Sequence, residues 1–326
     1  MSAAPGHSQA SSHRRPKGGD TPVSTAAHKG LLLGLLGVTI FALTLPMTRL
    51  AVGTMDAPQM SGVFIALGRA VVAAVLSIGF LLATHASWPR REDLAPLLFT
   101  AAGVVFGFPL FTSIAMRYVE AVHAAVIVGV LPLATAAVGA LLHRQRPSPG
   151  FWLCAALGSG LVVGFAVLRS GQSGLSLHPA DALLLAAMAC AAVGYGYGAR
   201  LSQRMRAEHV ICWALVMALP LTLPISLVTW PRDELHASAW AGFAYTAVFS
   251  MWLGFFAWYR GLALGGTVRV SQVQLVQPFL GMLFAVPLLG ERLDLVTLGF
   301  ALAVIATVFV GKRMPVRATL PDSRLS

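Results

Sequence analysis

Apolar residues in this chain neither alternate nor keep to one face; they fill whole windows. Ten such windows lie at about 31–52, 60–84, 94–116, 121–142, 151–168, 180–199, 210–230, 237–259, 266–289 and 295–311. Each approaches the roughly 20 apolar residues that a helix needs to cross hydrocarbon. Lipid forbids unsatisfied backbone, and the windows are too long and too uniformly apolar for barrel strands. The pattern predicts an all-α polytopic membrane protein with ten transmembrane helices. The narrowest divisions fall between the third and fourth windows, where Arg117–Glu120 intervenes, and between the eighth and ninth.

Polar segments flank the windows. Residues 1–29 are rich in Ser, Gly and Pro and are expected to form a disordered, basic cytoplasmic tail. The pair Arg14-Arg15 precedes an apolar run, as in some export signals. Pro16 follows it, however, and no small-residue cleavage site closes a short apolar region, so the first window reads as a retained span. Residues 313–326 form a second short cytoplasmic tail.

Composition agrees with this picture. Apolar residues make up 57% of the 326 and charged residues only 11%, against roughly 25% charged in soluble domains. The net charge of +11 would by itself suggest a nucleic-acid binder. Threading ten spans with the N-terminus in the cytoplasm puts 17 Lys and Arg on that side, five outside and one, Arg69, within a span. Basic residues are retained on the cytoplasmic side, so the excess records orientation, with both termini inside. No nucleic-acid partner is expected. Cys154, Cys190 and Cys212 sit in apolar runs without metal-ligand spacing, so neither a disulfide framework nor a zinc site is expected.

The chain also repeats itself. Pro132 and Pro278, Gln145 and Glu291, Arg146 and Arg292, and Ala115 and Gly261 all lie 146 residues apart. Thr48-Arg49-Leu50 and Ala199-Arg200-Leu201 lie 151 apart. Residues 30–169 and 180–312 are thus expected to be two five-helix repeats. Five is odd, so the second half enters from the opposite side, and a binding site is expected between the halves near mid-membrane.

With this layout, the run Gly261 to Glu291 (a Gly-rich lead, a mid-span Pro and a closing Gly-Glu) and the run SMWLGFFAWYRG from Ser250 resemble the EamA-type branch of the drug/metabolite transporter superfamily. The resemblance covers about residues 31–312, with one departure: Gln145 stands where a closing Glu is expected. It implies metabolite export or uptake, with amino acids and related compounds among the substrates.

Charged groups inside spans are functional candidates by default. Arg69 is the only basic one. It is either a cation facing a cavity, binding a carboxylate or phosphate, or a structural group, bonded to the backbone carbonyls of a broken helix or snorkelling to an interface. In the ninth window, Gln274, Gln277 and Gly281 share a sector of about 60°, while Gln272 points away. Pro278 cannot donate to the carbonyl of Gln274, so a kink exposing that acceptor beside two amides is expected. The competing role is amide bonding between helices. Pro46, Pro109 and Pro132 interrupt other windows; Pro46, Pro132 and Pro278 are the expected hinges. Thr44, Thr48, Thr112, Ser113 and Thr135 lie near them as candidates to line the same cavity and contact solute, each able to bond its own helix instead. Trp252 and Trp213 are deep enough to wall a cavity or pack in the core, whereas Trp88, Trp152, Trp230, Trp240 and Tyr118 mark interfaces. The GYGYG run at Gly194–Gly198 and the pairs Gly103/Gly107, Gly160/Gly164 and Gly261/Gly265 read as helix contacts.

No window centres an Asp or Glu: Asp56, Glu120, Asp181, Glu291 and Asp294 lie at edges, and His123 and His143 near span ends. No nucleotide loop or metal motif is present, so no cofactor is expected and enzymatic chemistry has no residues to run on. The expected function is a secondary transporter of a small polar or amino-acid-like solute in the inner membrane of a bacterium. The alternatives are a membrane-embedded enzyme acting on lipid and a non-transporting scaffold. Expected partners are a small-molecule substrate and the lipid bilayer, with homodimerisation an open question.

Overall fold

A computed structural model describes residues 25–118, 124, 127–142, 144–169, 179–289, 295–311 and 313–318. The expectations placed on Arg14, Arg15, Glu120, His123, His143, Glu291, Arg292, Asp294 and Lys312 fall outside them. The helices are α1 (Thr25–Val52), α2 (Gly62–Ala83), α3 (Arg91–Ala115), α4 (Leu131–Leu142), α5 (Pro149–Arg169), α6 (Pro179–Leu201), α7 (Ala207–Val228), α8 (Ala237–Gly265), α9 (267–289) and α10 (Leu295–Gly311). Two short strands, β1 (Gln145–Pro147) and β2 (Val316–Ala318), pair antiparallel. Among the described residues α1, α2, α3, α6, α7 and α8 are long and apolar enough to cross a membrane, while α4, α5 and α10 carry shorter apolar stretches. The first helix starts at Thr25, so the last five residues of the segment expected to be disordered are helical.

Local signals fix several helix starts. The Ser61 hydroxyl accepts the Phe64 N–H at 3.1 Å ahead of α2, and the Ser148 hydroxyl accepts the Phe151 N–H at 3.2 Å at the start of α5. Large apolar side chains such as Leu32, Val75, Leu82, Leu221, Val228 and Leu298 stay exposed around the outside, as a lipid-facing surface requires.

Helix pairing follows small residues. Extensive contacts join α1 to α8, α2 to α7, α3 to α6, α1 to α9, α4 to α9, α5 to α10 and α4 to α6. In the first of these, Gly30 and Gly34 meet Gly261 and Gly265; in the third, Gly103 and Gly107 meet Cys190 and Gly194. A Cβ on Gly30 would fall 2.4 Å from the Gly265 nitrogen, so backbones touch there and only glycine fits. Gly160 and Gly164 have the same spacing, but an added Cβ at either meets nothing within 4 Å. Among the described residues that pair therefore packs against no other helix of the chain.

Among the described residues five segments depart from regular α-helix. The first helix breaks at Leu43, three residues before Pro46. A π-helical stretch, Ala101–Gly107, precedes Pro109, and turn residues Gly129 and Val130 precede Pro132. In α9 a 3-10 stretch, Ser271–Val276, precedes Pro278. The fifth, Thr246–Leu253 in α8, is π-helical without a proline. A proline removes one i→i−4 bond, and π or 3-10 winding redistributes the groups it frees.

Two end faces are tied by different chemistry. On one, Arg204 pairs with Glu92 and Asp93 at 3.6 and 3.7 Å, Arg260 Nη1 donates to Glu208 Oε1 at 2.7 Å, and β1 holds β2. On the other, Arg49 donates to the Met116 carbonyl, Arg117 to that of Met60 at 3.0 Å, and the His236 N–H to Gln59 Oε1 at 3.0 Å. Replacing Gly261 with Leu should lower stability by about 1–3 kcal/mol, the usual cost of forcing extra bulk into a packed contact. Gly160→Leu should change it little; thermal unfolding of the detergent-purified variants measures both.

Candidate functional site

The five irregular segments converge. A small cavity lies between them, with about 20 Å³ of room for the centre of a water-sized sphere, lined by Thr44 and Leu45 at the break in α1, Val104 and Phe108 at the π-helical stretch of α3, and Val128 and Leu131 around the turn before α4. Ser250 and Met251 come from the π-helical stretch of α8 and Gln277 from the end of the 3-10 stretch. The uninterrupted helices α2 and α6 contribute Arg69 and Tyr195. Irregular backbone at membrane depth is tolerated where protein or a polar cavity satisfies it, and here it surrounds one.

The cavity is enclosed. Phe41, Thr44, Arg69, Tyr195, Ser250 and Phe255 are each at most 6% exposed. Farther along α8, Trp258 and Tyr259 are fully buried, and the Tyr259 hydroxyl donates to the Gly194 carbonyl at 3.2 Å. Toward the opposite face a separate cluster, including Val52, Ile65, Ala115 and Leu184, is equally dry.

Arg69 decides the polarity. It is 2% exposed, its Nε is buried without a hydrogen-bond partner, and no hydrogen bond or ion pair engages it among the described residues. The alternative of an arginine bonded to backbone carbonyls therefore finds no bond there. A charge at the centre of a spanning helix costs on the order of 2.5–3.5 kcal/mol on insertion scales, so its setting matters. The Tyr195 phenol lines the same cavity. That hydroxyl makes no hydrogen bond among the described residues, and its ring packs against Trp258 at 5.4 Å. Across the space, Thr44 Oγ1 and Ser250 Oγ lie 2.8 Å apart, joining α1 to α8. Such a pair consumes one hydroxyl hydrogen and leaves the other free to donate.

The other expected site residues divide. Gln277 lines the cavity; Gln274 does not, although both its amide atoms are buried without partners. The carbonyl of Gln274, which Pro278 was expected to leave exposed, accepts the Gln277 N–H instead. Tightening to 3-10 winding supplies a donor one residue earlier than the α-helical one that proline removes. Thr112 donates to the Phe108 carbonyl at 2.6 Å on its own helix, and Thr48 is buried outside the lining. Trp252 packs against Phe80 and Phe256, and Trp213 against Trp88, so both are core residues. Pro46, Pro132 and Pro278 are buried beside three of the irregular segments.

Tyr195 and Ser250 were not foreseen as cavity residues, although the repeat carried a signal for them. Tyr195 lies 151 residues after Thr44, Ser250 lies 146 after Val104, and Gln277 lies 146 after Leu131. Gln274→Leu should preserve or raise thermal stability, since two buried amide atoms lack partners and each costs about 1–3 kcal/mol.

Known proteins share this organisation. The model of a family described as "EamA-like transporter family" matches residues 28–167 and again 178–311. A Bacillus subtilis (strain 168) protein, "Uncharacterized transporter YdeK", is 43% identical over 286 residues, covering 87% of this chain and 97% of that one. An "Uncharacterized transporter" of Haemophilus influenzae is 27% identical over 141 residues, 42% of this chain and 82% of its own. A solved structure covers 89% of the chain and 98% of its own at a TM-score of 0.64 and 19% identity, a likeness of fold.

Proposed function

The chain belongs to the EamA-like transporter family and is a multi-pass membrane transporter, and from that premise we propose that it moves a small polar or amino-acid-like solute across the cytoplasmic membrane by alternating access. In this reading ten spans form two inverted repeats, residues 30–169 and 180–312, which rock about the enclosed cavity. Both termini lie in the cytoplasm, on the face bearing Arg90, Arg204, Arg206 and Arg260.

The observation that carries the reading is the pairing of lining residues. Thr44 with Tyr195, Val104 with Ser250 and Leu131 with Gln277 are related by the same offsets that relate the two halves of the sequence. A site built from repeat-related positions sits on the axis between the repeats, where either half can close over it. Helix contacts support this: α1–α8 exchanges with α6–α3, while α2–α7, α4–α9 and α5–α10 map onto themselves when each helix is exchanged for its counterpart. The π-helical stretches of α3 and α8 begin 145 and end 146 residues apart. One family model matching each half separately adds to it.

The test is flux into proteoliposomes from a mixed-solute screen. Ser250→Trp, which fills the cavity, should abolish transport of whatever solute the unmodified protein carries while the variant remains folded. Full flux in that variant would place the route elsewhere. A fluorescent protein fused after Ser326 should fold and fluoresce in cells, as it does only when held in the cytoplasm.

A further inference from the structure

Arg69 is a buried guanidinium with no carboxylate, hydroxyl or carbonyl bonded to it among the described residues, and it opens on a cavity whose lining contains no Asp or Glu. We infer that the cavity takes an organic monocarboxylate with an apolar body, its carboxylate held by Arg69 and the Tyr195 hydroxyl. This inference rests on the transporter reading for its biological meaning, though not for its geometry.

Three observations choose among ligand classes. A planar guanidinium matches the two oxygens of a carboxylate and gains most where water is excluded, as at a group 2% exposed. One cation balances one negative charge; a phosphate dianion would leave a charge uncompensated beside Phe41, Phe108, Met251 and Phe255. A cationic ligand would meet Arg69 at close range with no acid to offset it. The apolar side chains call for a hydrophobic body. The Thr44–Ser250 hydroxyl pair and the Gln277 amide provide for one further polar group on it. The repeat sharpens the assignment. The helix starts Gly62 and Ala207 set the α2–α7 offset at 145, which makes Ala214 the counterpart of Arg69, so the site holds one anion-binding group and not two.

Binding and flux to the purified full chain separate this inference from the reading beneath it. The probes are N-acetyl-L-leucine, its neutral amide N-acetyl-L-leucinamide, and the cation L-leucinamide. N-acetyl-L-leucine should bind at least tenfold more tightly than the amide, and L-leucinamide should not bind. Arg69→Gln should erase the preference by weakening the carboxylate at least tenfold while leaving the amide unchanged, and Arg69→Lys should restore part of it. Tyr195→Phe, which keeps the ring, should weaken the carboxylate severalfold without touching the amide; it serves if Arg69→Gln fails to fold. Equal binding of acid and amide by the unmodified protein, or a preference that survives both Arg69→Gln and Tyr195→Phe, overturns the inference. If neutral or cationic solutes are carried and Arg69→Gln leaves that flux intact, transport stands and the carboxylate assignment falls. If N-acetyl-L-leucine binds at Arg69 but no solute crosses in either gradient direction, the assignment stands and transport falls.

Discussion

Every backbone N–H and C=O within a bilayer must find its partner inside the protein, and the architecture here follows from where that rule is relaxed. Regular helix satisfies it automatically, and α2 and α6 keep to it along their lengths. Five other helices depart from it, at Leu43, Ala101–Gly107, Gly129–Val130, Thr246–Leu253 and Ser271–Val276. None of these departures faces lipid alone: each contributes to or adjoins the same enclosed space. Strain in the backbone and emptiness in the packing are therefore one feature seen from two sides.

Glycine contacts make the arrangement compact enough for this to matter. Where α1 meets α8 and α3 meets α6, backbones approach until an added Cβ would strike main-chain atoms. Without a hydrophobic drive between helices in lipid, such close contact is the main source of cohesion. The same two contacts bring the break in α1 against the π-helical stretch of α8, and the π-helical stretch of α3 against Tyr195 on α6. Cohesion and site geometry share their residues.

Much of this was legible in the sequence. Apolar windows located most of the described helices to within a few residues, since hydropathy reports directly on burial in lipid; α3 was expected from 94 and begins at Arg91, whereas α4 begins at Leu131, ten residues into its window. Arg69 stood out because an ion in an apolar run has no ordinary explanation. Less legible was anything depending on how a proline is accommodated. The freed carbonyl at Gln274 was expected to face the cavity, yet a change of winding satisfied it locally, a choice made by tertiary packing. Thr112 and Trp252 illustrate a second limit: a polar or aromatic residue at the right depth can still point along its own helix or into the core. Tyr195 sits between glycines whose pattern reads as backbone contact, and only its 151-residue relation to Thr44 marks it as a cavity position.

The pairing of β1 with β2 bears on how the chain is made. The strands are separated by the whole stretch from Pro147 to Val316, and β2 lies beyond the last helix. At synthesis rates of about 5–20 residues per second, the edge of β1 waits roughly ten to thirty seconds for its partner. β2 leaves the ribosome after α5 to α10 and completes a sheet that β1 begins. A nascent chain halted anywhere in the second half therefore presents an open strand edge next to the membrane surface.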